Sequence, residues 1–185
     1  MRRQALRMTA IVHDLLELSR LEAEGGAPSE EPVDVGALLT RLRSDLLARH
    51  ALQLQVRIQV DTPDRLRGEP AQLHSAFANL LDNAAKYTPS GGTIMMRWWR
   101  DELGGYLSVT DTGIGIAPEH IPRLTERFYR VDPGRSRASG GSGLGLAIVK
   151  HVLQRHDATL QIVSEEGHGS TFTCHFPAAR LLAPA

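Results

Sequence analysis

Between a candidate strand ending at Thr110 and a candidate helix beginning at Leu144 lie about thirty residues with no regular periodicity, rich in glycine, proline and arginine. No other feature constrains the fold as much. A compact domain rarely carries so long an irregular connection unless it serves as a lid or a binding loop. Its two ends are glycine runs, Asp111-Thr-Gly113-Ile-Gly115 and Gly140-Gly141-Ser-Gly143-Leu144-Gly145. Glycine lets backbone approach a phosphate without an intervening side chain. The second run opens directly into a helix, whose free N–H groups then point into the loop. Neither run is a P-loop, because no Gly-Lys-Ser/Thr follows, and neither completes the dinucleotide fingerprint, because Leu146 and Ile148 stand where its last glycine is needed. Read alone, each run suits a flexible turn equally well.

The elements around this stretch can be read from periodicity. Residues 5–23 place Met8, Ile11, Val12, Leu15, Leu18 and Leu21 at helical spacing, and the breaker-rich segment 24–32 then reads as a linker. A short strand at 33–35 precedes an amphipathic helix over 36–50, and residues 52–60 alternate as a half-buried strand. A short strand at 65–68 leads to a helix opened by Pro70 and running to Tyr87, with Leu73, Phe77, Leu80 and Leu81 on its apolar stripe. Strands at 93–100 and 106–110 are expected to pair around Gly104-Gly105, a helix to span 144–155, and strands at 159–164 and 170–176 to close the chain as a hairpin. The order implies a two-layer α/β sandwich, a mixed sheet covered by helices on one face and preceded by one N-terminal helix. Trp98 and Trp99, adjacent in a strand, point to opposite faces.

Charge and cysteine usage exclude several classes. Lys+Arg 21 balances Asp+Glu 21, against a nucleic-acid partner, whose binding needs a basic surface. The longest stretch without Asp, Glu, Lys or Arg is 13 residues, 167–179, too short for a membrane span. The single Cys174 excludes an internal disulfide and reads as a strand residue in a reducing, cytoplasmic setting. Of the 21 basic residues 19 are arginine; the lysines are Lys86 and Lys150.

On the helix over 70–87, Asn79, Asn83 and Lys86 lie at i, i+4 and i+7, on one face, while Leu80 and Leu81 turn toward the core. Two amide oxygens and an ammonium suit a magnesium-phosphate group, since Mg²⁺ takes few protein oxygens and keeps several waters. A solvated polar face is the alternative reading.

Residues Asn79 to Tyr87, Asp111-Thr-Gly-Ile-Gly115, Arg127-Phe-Tyr-Arg130 and Gly141-Ser-Gly-Leu-Gly-Leu146 resemble the N, G1, F and G2 boxes of sensor histidine kinases. They occur in that family's order and spacing, over roughly residues 30–178. The run from Pro118 to Asp132 is most similar to the phosphate-regulon branch of the family.

The resemblance implies the Bergerat-type ATP-binding fold, with ATP and Mg²⁺ as cofactors. It implies that Asn83 holds the metal with Asn79 assisting, that Lys86 meets a phosphate, and that Tyr87 borders the nucleotide. Asp111 would receive the adenine amino group, as a carboxylate can only accept. Gly113 and Gly115 would let backbone pass beside the base, and Gly141, Gly143, Leu144 and Gly145 would shape the phosphate-side loop. Arg127 and Arg130 would lie near the γ-phosphate, where transfer demands charge neutralisation; residues 116–142 would form the ATP lid. Related ATPases such as gyrase and the Hsp90 chaperones carry a water-activating glutamate where this chain has Asn79, so hydrolysis should be slow and the phosphoryl group should await another acceptor.

The family's acceptor is a histidine in a pattern like Ser-His-Glu-Leu-Arg-Thr-Pro, and no such string occurs here. His13-Asp-Leu imitates its centre without the following basic residue and proline, while the run from Leu15 to Glu22 resembles the end of the second hairpin helix. His13 therefore reads as a bundle or surface histidine rather than a phosphoacceptor. The expected organisation is residues 1–27 as the second helix of a dimerisation and phosphoacceptor hairpin with its linker, and 28–185 as the catalytic ATP-binding domain. The implied partners are a phosphoacceptor histidine domain and a response regulator. The fragment itself is expected to touch no membrane, to be a monomer or a weak homodimer through its first helix, and to belong to a protein anchored in the inner membrane.

Overall fold

The computed structural model describes residues 2–23, 25–26, 28–49, 54–131 and 141–184, with side chains from Met8 onward. The chain order is α1 (Arg2–Ala23), β1 (Glu31–Val33), α2 (Val35–Arg49), β2 (Gln55–Val60), β3 (Arg65–Gly68), α3 (Pro70–Tyr87), β4 (Thr93–Arg100), β5 (Gly104–Asp111), a 3₁₀ turn (Pro118–Arg123), α4 (Gly145–Arg155), β6 (Thr159–Glu165), β7 (Gly169–Pro177), a second 3₁₀ turn (Ala178–Arg180) and β8 (Leu181–Leu182).

Five strands form one sheet in the order β2-β4-β5-β7-β6, parallel between β2 and β4 and antiparallel elsewhere. The mixed sheet expected from the element order is therefore present. Alternation decides which face meets the helices: Ile94, Met96 and Trp98 of β4, Leu107 and Val109 of β5, and Phe172, Cys174 and Phe176 of β7 are buried. Against them pack Leu39, Leu42 and Leu46 of α2, Leu73, Phe77, Leu80 and Leu81 of α3, and Ile148, Val149, Val152 and Leu153 of α4. Each such side chain contributes about 1.5–3 kcal/mol on leaving water, which makes this layer the source of the fold's stability. Phe77 meets Phe176 edge-on at 6.2 Å, joining helix layer to sheet. Burial pushes the Cys174 thiol up to about 12, so it is an apolar filler and not a nucleophile. The two tryptophans separate as expected: Trp98 is core, while Trp99 stacks on Tyr106 at 5.2 Å on the opposite face.

Three details differ from expectation. Gly104 and Gly105 lie inside β5, and the turn is residues 101–103, held by the Asp101 carboxylate accepting the N–H groups of Leu103 and Gly104. Glycine is needed at 105 because a Cβ there would stand 2.6 Å from the Trp98 ring. The short strands expected at 33–35 and 65–68 appear at 31–33 and 65–68, and with the unexpected two-residue β8 they form a second sheet, β1-β3-β8, whose pairing strands this short give no period to reveal. Among its described residues the irregular stretch holds a 3₁₀ turn, Pro118–Arg123, opened by a proline.

Helix α1 buries only the C-terminal end of its stripe. Leu18 and Leu21 are buried, while Met8, Val12, Leu15 and Leu16 remain exposed. Behind α3, the fully buried His156 ties two helices together: its Nε2 accepts the Glu69 N–H at 3.0 Å, leaving Nδ1 to donate to the Val152 carbonyl at 2.7 Å.

Candidate functional site

Pro70 starts α3 with a preset φ and a backbone nitrogen that needs no partner, and the helix then runs without a break to Tyr87. Its apolar stripe fixes its rotation, so Asn79, Asn83 and Lys86 emerge together, half-buried, on the side away from the core. The Asn79 amide nitrogen donates to the Ser75 carbonyl at 3.0 Å, which turns its Oδ1 toward Gly145. A Cβ at Gly145 would stand 2.6 Å from that oxygen, and a Cβ at Gly141 would strike the Lys86 ammonium. The glycine run and the polar face of α3 are thus pressed against each other. The Lys86 ammonium also lies 4.8 Å over the Tyr87 ring, which is 40% exposed and so free to border a ligand.

Asp111 ends β5 beneath this face. It is 5% exposed and its Oδ1 accepts the Gly113 N–H at 2.8 Å. Burial raises its carboxyl above the usual 3.8, opposed by the backbone N–H groups of Gly113 and Ser170. Gly113 lies so close to the end of α3 that a Cβ would stand 2.6 Å from the Tyr87 carbonyl, and the next residue, Ile114, donates to that carbonyl at 3.2 Å. Gly115 has φ +66 and sits against the Glu165 carbonyl, a position no side chain tolerates.

The lid side is built differently. Ile116 N–H donates to Ser164 Oγ at 2.9 Å, and Tyr129 packs under Arg123 (4.3 Å) while its hydroxyl meets His120 Nδ1 at 2.7 Å. Phe128, with φ +60, donates its N–H to the Gly143 carbonyl at 2.9 Å, so the F box and the glycine loop are joined through main chain. Leu144 is buried and its N–H donates to Ser142 Oγ at 3.1 Å; no side chain caps α4, so its first-turn N–H groups face the loop.

The structure brings Asn79, Lys86, Gly141 and Gly145 together, and likewise Tyr87, Asp111 and Gly113, with Asn83 beside them on α3. Arg127 is not with this group: its guanidinium pairs with Glu22 of α1. Arg130 is half-buried after Tyr129. Residues 132–140, which include Arg135 and Arg137, lie outside the described residues. Glu22 had no sequence signal, since the two partners are 105 positions apart. His13 is 78% exposed at its side chain and 3.9 Å from Asp14. Two cavities, of about 360 Å³ (Ile121, Leu153, Leu160, Lys150) and about 420 Å³ (Arg127, Ala147, Lys150, His151), lie against α4 and include neither Asp111 nor the polar residues of α3.

Residues 68–180 match the family of histidine kinase-, DNA gyrase B- and HSP90-like ATPases. The phosphate regulon sensor protein PhoR of Pseudomonas aeruginosa is 54% identical over 183 residues, 98% of this chain and 41% of that protein. The sensor-like histidine kinase SenX3 of Mycobacterium tuberculosis is 43% identical over 180 residues, 95% of this chain and 43% of that protein. The chain belongs to the sensor histidine kinase family. It is an ATP-binding catalytic domain of a sensor kinase, similar to PhoR. Among solved structures, the mycobacterial sensor histidine kinase MprB superposes with a TM-score of 0.71 at 32% identity, over 84% of this chain and 99% of that one. Full-length ShkA, in complex with AMPPNP, superposes with a TM-score of 0.83 at 28% identity, over 96% of this chain and 37% of that one. The kinase domain thus spans about two fifths of the length of its sensor relatives. No helix among the described residues is long and apolar enough to cross a membrane.

Proposed function

We propose that this kinase domain binds Mg-ATP in the groove between α3, the Asp111 loop and the 141–145 loop, and passes the γ-phosphoryl group to a histidine on a dimerisation hairpin, for relay to an aspartate of a response regulator. The observation that carries the reading is the apposition of two glycines to two polar side chains, Gly145 to Asn79 and Gly141 to Lys86. Only glycine lets this loop lie so close to the polar face of α3. The donor set fits: Asn83 and Asn79 supply neutral amide oxygens one turn apart, leaving room for the waters Mg²⁺ retains. Lys86 neutralises a phosphate, Asp111 accepts a hydrogen bond from the adenine amino group, and Gly113 and Gly115 clear the base's edge. The first-turn N–H groups of α4 face the phosphate side. Leu144, Gly143 and Gly145 fix that loop, and Arg127 and Arg130 supply cations for the transferring group. Asn79 is a poor base for activating water, so hydrolysis should be slow and the phosphoryl group should await its histidine acceptor.

We place residues 1–27 in the second helix of the hairpin with its linker, and 28–185 in the catalytic domain. The acceptor histidine and a membrane anchor belong to other parts of the whole protein. Two measurements test the reading. Incubation with an intact acceptor hairpin and Mg-ATP should yield acid-labile phosphate on the hairpin. ATP binding without such transfer would instead favour a nucleotide-binding module without turnover. Free phosphate at several turnovers per second would favour an ATPase.

A further inference from the structure

Glu22, near the end of α1, meets two basic groups. Its carboxylate pairs with the Arg127 guanidinium and lies 3.4 Å from Nε2 of His151 on α4. Docking of this helix does not rest on ions alone. Leu18 and Leu21 are buried, and Arg155 of α4 donates to the main-chain oxygens of Leu21 (3.4 Å) and Gly26 (3.1 Å). The carboxylate is thus delivered to a fixed place.

That place is on the wrong side of α4 for phosphate. Arg127 shares its cavity with Ala147, Lys150, His151 and Gln154, whose spacing of three and four marks one face of the helix. Gly145, which faces Asn79, is two residues before Ala147 and so ~200° around the helix. Yet Phe128, the next residue after Arg127, is bonded to Gly143 of the phosphate-side loop. Arg127 therefore stands at the edge of the groove with its charge turned away from it.

We propose that Glu22 is a positioning residue for Arg127, holding the lid arginine on docked α1 in competition with the terminal phosphate of a bound nucleotide. The proposal rests on reading the glycine-lined groove as the ATP site. One carboxylate charge holds the arginine when the groove is empty; the more highly charged terminal phosphate of ATP draws it away. His151 lets the helix stay docked meanwhile. The charged groups that face it are Glu22 on α1, Arg127 on the lid and Lys150 on α4. Burial first, then Arg127 and Lys150, lower its proton affinity, so the ring beside Glu22 at 3.4 Å is a neutral hydrogen-bond partner rather than a competing charge.

Calorimetric affinities for Mg-ATP and Mg-ADP, measured on the wild-type chain, Glu22→Gln, Arg127→Ala and the double variant, test this. Glu22→Gln should tighten ATP by roughly twofold to fivefold, the range of an exposed ion pair, and leave ADP unchanged. The double variant should bind ATP no better than Arg127→Ala. Wild-type ATP affinity in Glu22→Gln with an unaltered melting temperature overturns the proposal, as does tightening that persists without Arg127. Equal shifts for ATP and ADP with a lowered melting temperature also overturn it, since they mark a merely structural role. Failure of the groove reading has a different signature: the wild-type chain then binds neither nucleotide.

Discussion

The two sides of the groove are built by different means. On one side, Asn79, Asn83, Lys86 and Asp111 stand on a long helix and a central strand whose opposite faces form the core. On the other, Phe128, Arg127 and Arg130 stand on irregular chain held by single hydrogen bonds and ion pairs. The first side cannot rearrange without unpacking Leu80, Leu81 or Val109. The second can change partners at the cost of one exposed contact, about 0–1 kcal/mol. A site for a reaction that needs both a fixed nucleotide and a mobile phosphoryl end can use this division.

Substitutions sharpen the contrast. Asn83→Ala should abolish the Mg²⁺ dependence of ATP binding while leaving the melting temperature nearly unchanged, because Asn83 is half-buried on α3 and is not part of the hydrophobic core. A variant that still binds ATP in a Mg²⁺-dependent way would remove the metal from α3. Gly115→Ala should cost about 2–4 kcal/mol in chemical denaturation, since it demands a positive φ and collides with the Glu165 carbonyl. A cost below about 0.5 kcal/mol would mean that the Asp111 loop is as adaptable as the lid.

The rigid side also carries a pH signature. His156 is held neutral, its pKa pushed below the ordinary 6.5 chiefly by burial, with Arg180 and Arg155 adding to the shift and the Val152 carbonyl opposing it. Its contribution is complete above about pH 6.5, because folded and unfolded chains are then both unprotonated there. As the pH falls below 6.5 toward the lowered native value, the unfolded chain takes up a proton that the native site resists, and stability is lost. The melting temperature should be lower at pH 5.5 than at pH 7.5, and His156→Gln should flatten part of that difference. At the small end, His13→Ala should leave ATP affinity and stability within error, as its side chain is solvent-exposed on α1. A measurable loss of ATP binding would put α1 inside the site.

The rigid side was legible in the sequence for the reason that makes it rigid. A face of α3 can be read from a stripe of Leu73, Phe77, Leu80 and Leu81, and the polar residues that face away follow from 3.6-residue geometry. The glycine runs were legible as close approaches, and the structure supplies what they approach: Lys86, Asn79, and the carbonyls of Tyr87 and Glu165. What could not be read depends on pairings between distant positions. Glu22 with Arg127, Glu69 with His156, and the two-residue β8 beside β3 leave no local period. The turn before β5 was misplaced because Gly104-Gly105 is a turn signal by composition, whereas here Asp101 makes the turn and the glycines clear space for Trp98.

The central claim is that nucleotide sits on the rigid side, away from the cavities beside α4. Amide chemical shifts recorded while Mg-ATP is titrated into the wild-type chain test it most directly. The account predicts saturable shifts centred on residues 79–87, 111–115 and 141–145, with smaller ones at Arg127 and Glu22. Shifts centred instead on Ile121, Leu153 and Leu160, or no saturable shift at millimolar ATP, would contradict it.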